Sequence, residues 1–114
     1  MLFSEPQVKI WLCTQPVDMR KSYDGLSALV RNRLGEDPLS GQLFVFINKR
    51  KTHMKVLYFE PTGYCVWCKR LEQGQFNFHP SSQEKYSLNW TQLHIPAHPE
   101  RRFWPNLNTH SGVS

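Results

Sequence analysis

The side chains best able to do chemistry are a Cys65-x-x-Cys68 pair, a His94-x-x-x-His98 pair, scattered carboxylates and three groups of basic residues. Structural zinc needs four ligands, from a second cysteine pair or from histidines at suitable spacing. Cys13 is the one further cysteine. In a strand, residues i and i+3 point to opposite faces, so Cys65 and Cys68 read as ordinary semi-buried thiols. His94 and His98 stand one helical turn apart, but Pro96 and Pro99 break the helix that would bring both rings to one face. No Glu stands between them as in a metallopeptidase. The acids Glu5, Asp18, Asp24, Glu36, Asp37, Glu60, Glu72, Glu84 and Glu100 show no pattern that favours a two-metal pocket. A Gly-rich phosphate loop, a Gly-x-Ser-x-Gly elbow and a His-x-His pair are missing. The expectation is no enzyme, no metal and no cofactor.

The basic residues do cluster. Residues 1–80 carry 11 basic and 7 acidic side chains against 3 and 2 in residues 81–114, so the positive excess sits in the first part. It is concentrated in Arg20-Lys21, in the acid-free stretch Asn48 to Lys55 with Lys49, Arg50 and Lys51, and in Lys69-Arg70. The middle stretch falls between two apolar runs. As a turn it projects its cations from one end of a sheet, where each can displace counterions from a phosphate. Asn48 and His53 add hydrogen-bonding capacity. The same tip would also discourage edge-to-edge aggregation, whatever it binds. Arg20, Lys21, Asn48, Lys49, Arg50, Lys51, Lys55, Lys69 and Arg70 are therefore the candidate nucleic-acid contacts.

The elements that must position them follow from period and turn chemistry. Residues 8–13 alternate Val8, Ile10 and Leu12 with Lys9, Trp11 and Cys13, a short strand with one clearly apolar face. Pro16 ends it. Met19, Tyr23, Leu26, Val30 and Leu34 then form one helical stripe with Leu29 beside it. Asp18 or Ser22 serves as N-cap, and Gly35 suits the left-handed position past the C-terminus. After a loop at 36–41 come Leu43 to Ile47, a continuous apolar run suited to a central strand, then Lys55 to Glu60 and Tyr64 to Leu71 as further strands. Gln75 to Phe78 could add a short edge piece. Short connections make these strands antiparallel neighbours. The fold class is α+β: an N-terminal strand, one amphipathic helix packed on an antiparallel meander, and an irregular C-terminal tail. Residues 1–80 form the domain and 81–114 the tail, in which Leu88 to Ile95 could be a short helix capped by Ser87.

With 114 residues the chain has room for one core. Its aromatic content of 13% argues against disorder over most of it. No apolar run approaches the roughly 20 residues of a membrane span. The N-terminus does not read as a secretory signal, and an odd cysteine count argues against a disulfide framework. These features point to a soluble, cytoplasmic protein. A net charge of +5 permits association with polyanions without specifying one.

One order of motifs is more specific. Pro16-Val17-Asp18-Met19-Arg20-Lys21, Tyr23-Asp24-Gly25-Leu26, Asp37-Pro38-Leu39-Ser40-Gly41, Leu43-Phe44-Val45-Phe46, Asn48-Lys49-Arg50, Lys55-Val56-Leu57-Tyr58 and Trp67-Cys68-Lys69-Arg70-Leu71-Glu72-Gln73-Gly74 with Phe76 follow one another without a break. Over residues 6–80 this resembles the TnpB-type accessory protein, encoded by the second reading frame of insertion-sequence sixty-six family bacterial transposons. The resemblance implies a part in transposition beside a separate transposase that carries the acidic catalytic residues. It also implies transposon-end DNA, the transposase and other proteins of the same element as partners. The Gln92-Leu93-His94-Ile95-Pro96 stretch departs from the family's usual apolar continuation.

Three functions are then open. A DNA-contacting accessory factor would use the basic clusters. A module docking on the transposase would use aromatics from among Trp11, Phe44, Phe46, Tyr58, Phe59, Tyr64 and Trp67, although strand settings favour core packing for Phe44, Phe46 and Phe59. A catalytic helper would act through Asp18 or Asp24, and the residues favour it least.

Overall fold

The structure, a computed structural model, describes residues 8–77 and 80–89. Strands β1 (Ile10–Cys13), β2 (Leu43–Ile47), β3 (His53–Glu60), β4 (Gly63–Arg70) and β5 (Lys85–Leu88) make one sheet in the order β4-β3-β2-β1-β5. The turns at 48–52 and 61–62 are too short for anything but antiparallel pairing. Val45 accordingly lies opposite Val56, and Val56 opposite Trp67. β1 runs parallel to β2, with Trp11 opposite Phe44. A parallel neighbour requires a crossover of a dozen residues or more, and residues 14–42 provide it. β5 pairs antiparallel with the other side of β1, Cys13 opposite Lys85. The class is α+β as expected, with a mixed sheet in place of a pure meander.

The crossover carries the helix. Helix α1 (Tyr23–Leu29) runs into a π-helical turn, Val30–Leu34, that ends at Gly35 with φ 66°. Gly35 adopts the left-handed conformation without the Cβ penalty other residues meet there. Leu26, Val30 and Leu34 recur every four residues, which overshoots one α-helical turn by about 40° at 3.6 residues per turn. The wider π turn takes up that overshoot and keeps all three on the sheet; each is 2% exposed or less. Ser22 occupies the N-cap position without a side-chain capping bond. Asp18, the other expected cap, closes a separate turn four residues earlier, where its carboxylate accepts the Arg20 amide at 2.8 Å and its carbonyl accepts the Lys21 amide. Met19 therefore lies outside the helix whose stripe it seemed to begin.

Both sheet faces are buried. On the helix side Leu26, Val30 and Leu34 pack with Cys13, Val17, Phe44, Phe46 and Leu57. On the other side Ile10, Leu12, Leu43, Val45, Ile47, Met54 and Val56 pack with Phe76, flanked by half-buried Tyr58, Trp67, Leu71 and Leu88. This explains why β2 reads as an unbroken apolar run, and why β1 buries Cys13 and half-buries Trp11 as well as burying its alternating aliphatics. Residues 75–77 form no strand; Phe76 instead turns into the core, 2% exposed, and its amide donates to the Lys51 carbonyl.

The chain returns to the sheet after Pro80. Thr14, fully buried, donates its hydroxyl to the Gln83 carbonyl and its amide to Glu84. Lys85 reaches the Leu34 carbonyl at 2.8 Å and Glu36 at 3.2 Å while lying over the Trp11 ring. Ser87 and Leu88, expected at the start of a helix, belong to β5; the remainder of that expected helix, like His94 and His98, lies outside the described residues. Truncating Phe44, fully buried in the central strand, is expected to cost about 3–5 kcal/mol in urea unfolding. Truncating Leu39, 47% exposed, is expected to stay within about 0.5 kcal/mol. Equal losses at the two positions would contradict this core.

Candidate functional site

The turn between β2 and β3 is built around Asn48. Its side-chain oxygen accepts the amides of Thr52 at 2.9 Å and His53 at 3.0 Å, and its carbonyl accepts the Lys51 amide at 3.0 Å. Its Nδ2 lies 3.3 Å from the Thr52 hydroxyl. The closure puts Lys51 at φ 65°, a left-handed value uncommon for a side-chain-bearing residue. The segment after β4 holds it there: the Gln75 side chain donates to the Arg50 carbonyl, the Phe76 amide to Lys51 and the Leu71 amide to Thr52. Lys49 and Arg50 are thus presented, exposed, from a turn whose backbone is tied on two sides. Asn48 spends its amide on that turn.

Arg20 and Lys21 arrive at the same end of the sheet through the crossover. The Val17 amide donates to the Ile47 carbonyl at the end of β2, which docks the turn at 18–21 beside the turn at 48–51. The Arg20 guanidinium grips Asp18, with Nη2 at 2.7 Å and Nε within 3.2 Å of both oxygens. Those bonds, with the Arg20 amide, hold the Asp18 carboxyl down at about 2. Lys55 on β3 donates to the Lys21 carbonyl at 2.7 Å. In the β3–β4 ladder Lys55 lies opposite Cys68, Met54 opposite Lys69 and His53 opposite Arg70. Burial pulls the Lys69 ammonium below its ordinary value. Arg70 is bonded through Nε and Nη2 to Glu72.

Three clusters separated in sequence therefore share one end of the molecule. Two shallow hollows lie between them. One, of about 420 Å³, is lined by Pro16, Val17, Asp18, Met19, Asn48, Lys49 and Arg50. The second, of about 380 Å³, is lined by Met19, His53, Met54, Lys55, Cys68, Lys69, Arg70 and Glu72. Met19 lines both. The two carboxylates that line these hollows, Asp18 and Glu72, are each held by an arginine two positions away. The chemistry on offer is anion binding by ammonium and guanidinium groups on a preset backbone. Sequence reasoning found the cations; it missed Met19 and Gln75, which carry no charge signal.

Cys65 pairs with Tyr58 on the face away from the helix, and Cys68 pairs with Lys55, which reaches toward it, so the two thiols stand on opposite faces. Burial and the nearby Glu60 raise the Cys65 thiol above its ordinary value, as burial raises Cys13. Of the aromatics, Phe44 and Phe46 are buried, while Trp11, Tyr58, Phe59, Tyr64 and Trp67 are half-buried. Among the described residues no helix is long and apolar enough to cross a membrane.

Comparison with known proteins gives a consistent result. Residues 8–98 match the family described as IS66 Orf2 like protein. That span reaches past residue 80, where the sequence-level resemblance stopped. Two curated relatives come from Sinorhizobium fredii (strain NBRC 101917 / NGR234). The uncharacterized protein y4jC is 37% identical over 98 residues, covering 75% of this chain and 84% of its own length. The uncharacterized protein y4hO is 37% identical over 76 residues, covering 67% and 66%. No solved structure matches the chain.

Two outcomes follow from this geometry. Asn48→Ala leaves two turn amides without their acceptor and is expected to destabilise the fold by about 1–3 kcal/mol in urea unfolding; no loss would mean that the turn does not depend on Asn48. The Asp18 carboxyl, depressed in the folded chain, favours folding most above its unfolded value near 3.8, and that contribution fades as pH falls toward 2. An NMR titration is expected to place its midpoint near 2, and Arg20→Gln to move it upward. A midpoint near 3.8 in the unaltered chain would contradict the Arg20 contact.

Proposed function

The chain belongs to the IS66 Orf2-like family of transposition-associated accessory proteins, and from that premise we propose that it holds transposon DNA by its phosphate backbone without catalysing strand transfer. The observation that carries this reading is the gathering of Arg20, Lys21, Lys49, Arg50, Lys51, Lys55, Lys69 and Arg70 at one end of the sheet. Basic loops are common and weakly specific when single. Three that converge from distant parts of a chain, two of them by way of a tied turn, place their cations at one end of the sheet, with Lys69 on the opposite face from Lys55 and Arg70. Phosphate contacts of this kind position a protein on DNA and read no sequence by themselves. Asn48 acts in this reading by fixing the turn. Catalysis would fall to the separate transposase, and the DNA ends and that enzyme are the partners this protein brings together in the cytoplasm.

A second reading, docking on the transposase, is favoured by β4. It is eight residues long and forms the edge of the sheet among the described residues, with Tyr64 and Val66 half-buried on the helix side. An edge of that length can accept a strand from another protein. The two readings use different parts of the molecule and are compatible.

The test is a salt titration of binding to labelled transposon-end duplex and to an unrelated duplex. Each phosphate contact contributes roughly 0.9 to the slope of log affinity against log salt. Replacing Lys49 and Arg50 with Gln is expected to weaken binding to both duplexes and to lower the slope by about 2. An unchanged slope would remove the turn from the interface. Association with purified transposase after nuclease treatment, abolished by a proline at Val66, would support the second reading.

A further inference from the structure

The two walls of the hollow lined by Asn48, Lys49 and Arg50 differ in character. It opens just beyond the carboxyl ends of the parallel strands β1 and β2. One wall comes from the chain leaving β1 and is mainly apolar, made of Pro16, Met19 and the buried Val17, with the Asp18 carboxylate among them. The other comes from the turn leaving β2 and is cationic, through Lys49 and Arg50. That carboxylate is held by Arg20. A paired duplex offers phosphates to such a site and keeps its base faces stacked away. It would use the cationic wall and leave the apolar one wet. A nucleotide free of pairing has both parts to offer, an apolar base face and a phosphate.

We propose that this hollow takes one unpaired nucleotide of DNA, its base against Met19 and Pro16 and its phosphate on Lys49 and Arg50. The proposal rests on the DNA-contact reading and narrows its ligand to DNA with an unpaired end. Met19 lines both this hollow and the one lined by Lys55, Lys69 and Arg70. A strand leaving the first site crosses Met19 and meets a second cationic surface for its next phosphates. This gives the uncharged Met19 a specificity role that the charge pattern alone does not suggest.

The experiment compares binding of the full chain to a blunt duplex and to the same duplex with a short single-stranded overhang, by fluorescence anisotropy. The overhang is expected to bind about tenfold tighter, which about 1.4 kcal/mol of apolar burial against Met19 and Pro16 supplies. Met19→Ala is expected to bring that ratio close to one. Met19→Leu, which keeps the apolar volume, and Leu39→Ala, on the exposed loop before β2, are expected to retain it. A ratio of one in the unaltered chain, or a ratio insensitive to Met19→Ala, would overturn the nucleotide site while leaving phosphate contact intact. Failure to bind either duplex would overturn the DNA-contact reading and this proposal with it.

Discussion

The parallel pairing of β1 with β2 is the constraint on which the rest of the structure depends. Two parallel neighbours cannot be joined by a tight turn, so the chain from Thr14 to Gln42 must leave one end of the sheet, cross a face and re-enter at the other. That path lays Leu26, Val30 and Leu34 over Phe44, Phe46 and Leu57 and so creates the helix-side core. It also fixes the exit of β1 beside the exit of β2, where the Val17 amide bonds to the Ile47 carbonyl. The turn holding Arg20 and Lys21 then cannot be elsewhere than next to the turn holding Lys49 and Arg50. Charge is gathered by topology, and the packing of the crossover is what keeps it gathered.

Like charges brought together repel, and the structure offsets this in two ways. Asp18 and Glu72 each sit within reach of one arginine of the surface, and backbone carbonyls take up further donors, as Lys21 does for the Lys55 ammonium. The backbone itself is held by hydrogen bonds that do not involve the cations' charged groups: Asn48 within its own turn, Gln75 and Phe76 from the segment beyond β4. Lysines and arginines on a fixed backbone lose less freedom on meeting an anion than the same side chains on a loose loop. The exposed ion pairs are easily exchanged with solvent and ions.

Much of this was legible in the sequence, and what was not has physical reasons. The run Leu43 to Ile47 announced a strand buried on both faces, and Leu26, Val30 and Leu34 announced a buried helical stripe, because burial leaves a direct mark on residue type. Gly35 marked the helix end for the same kind of local reason. The direction of β1 relative to β2 left no such mark, since a strand has the same alternation whichever way its neighbour runs. β5 was hidden because Lys85, Tyr86, Ser87 and Leu88 form a polar edge, secured by Thr14, Glu36 and the Leu34 carbonyl rather than by an apolar pattern. Asp18 has the residue type of an N-cap, yet closes a turn with Arg20, a choice between two local hydrogen bonds that composition cannot make. The basic clusters were visible one by one; their convergence was a property of the crossover. Met19, read as the start of a helical stripe, came to line two hollows for the same reason.

The most direct test of the central claim is to add duplex DNA to the isotopically labelled full chain and follow the backbone amide resonances. The account predicts that the amides of 17–21, 48–55 and 68–72 shift together, as one surface, while those around Glu36, Asp37 and Glu60 at the opposite end of the sheet stay in place. Shifts that favour the acidic end, or that reach only one of the three basic clusters, would contradict it.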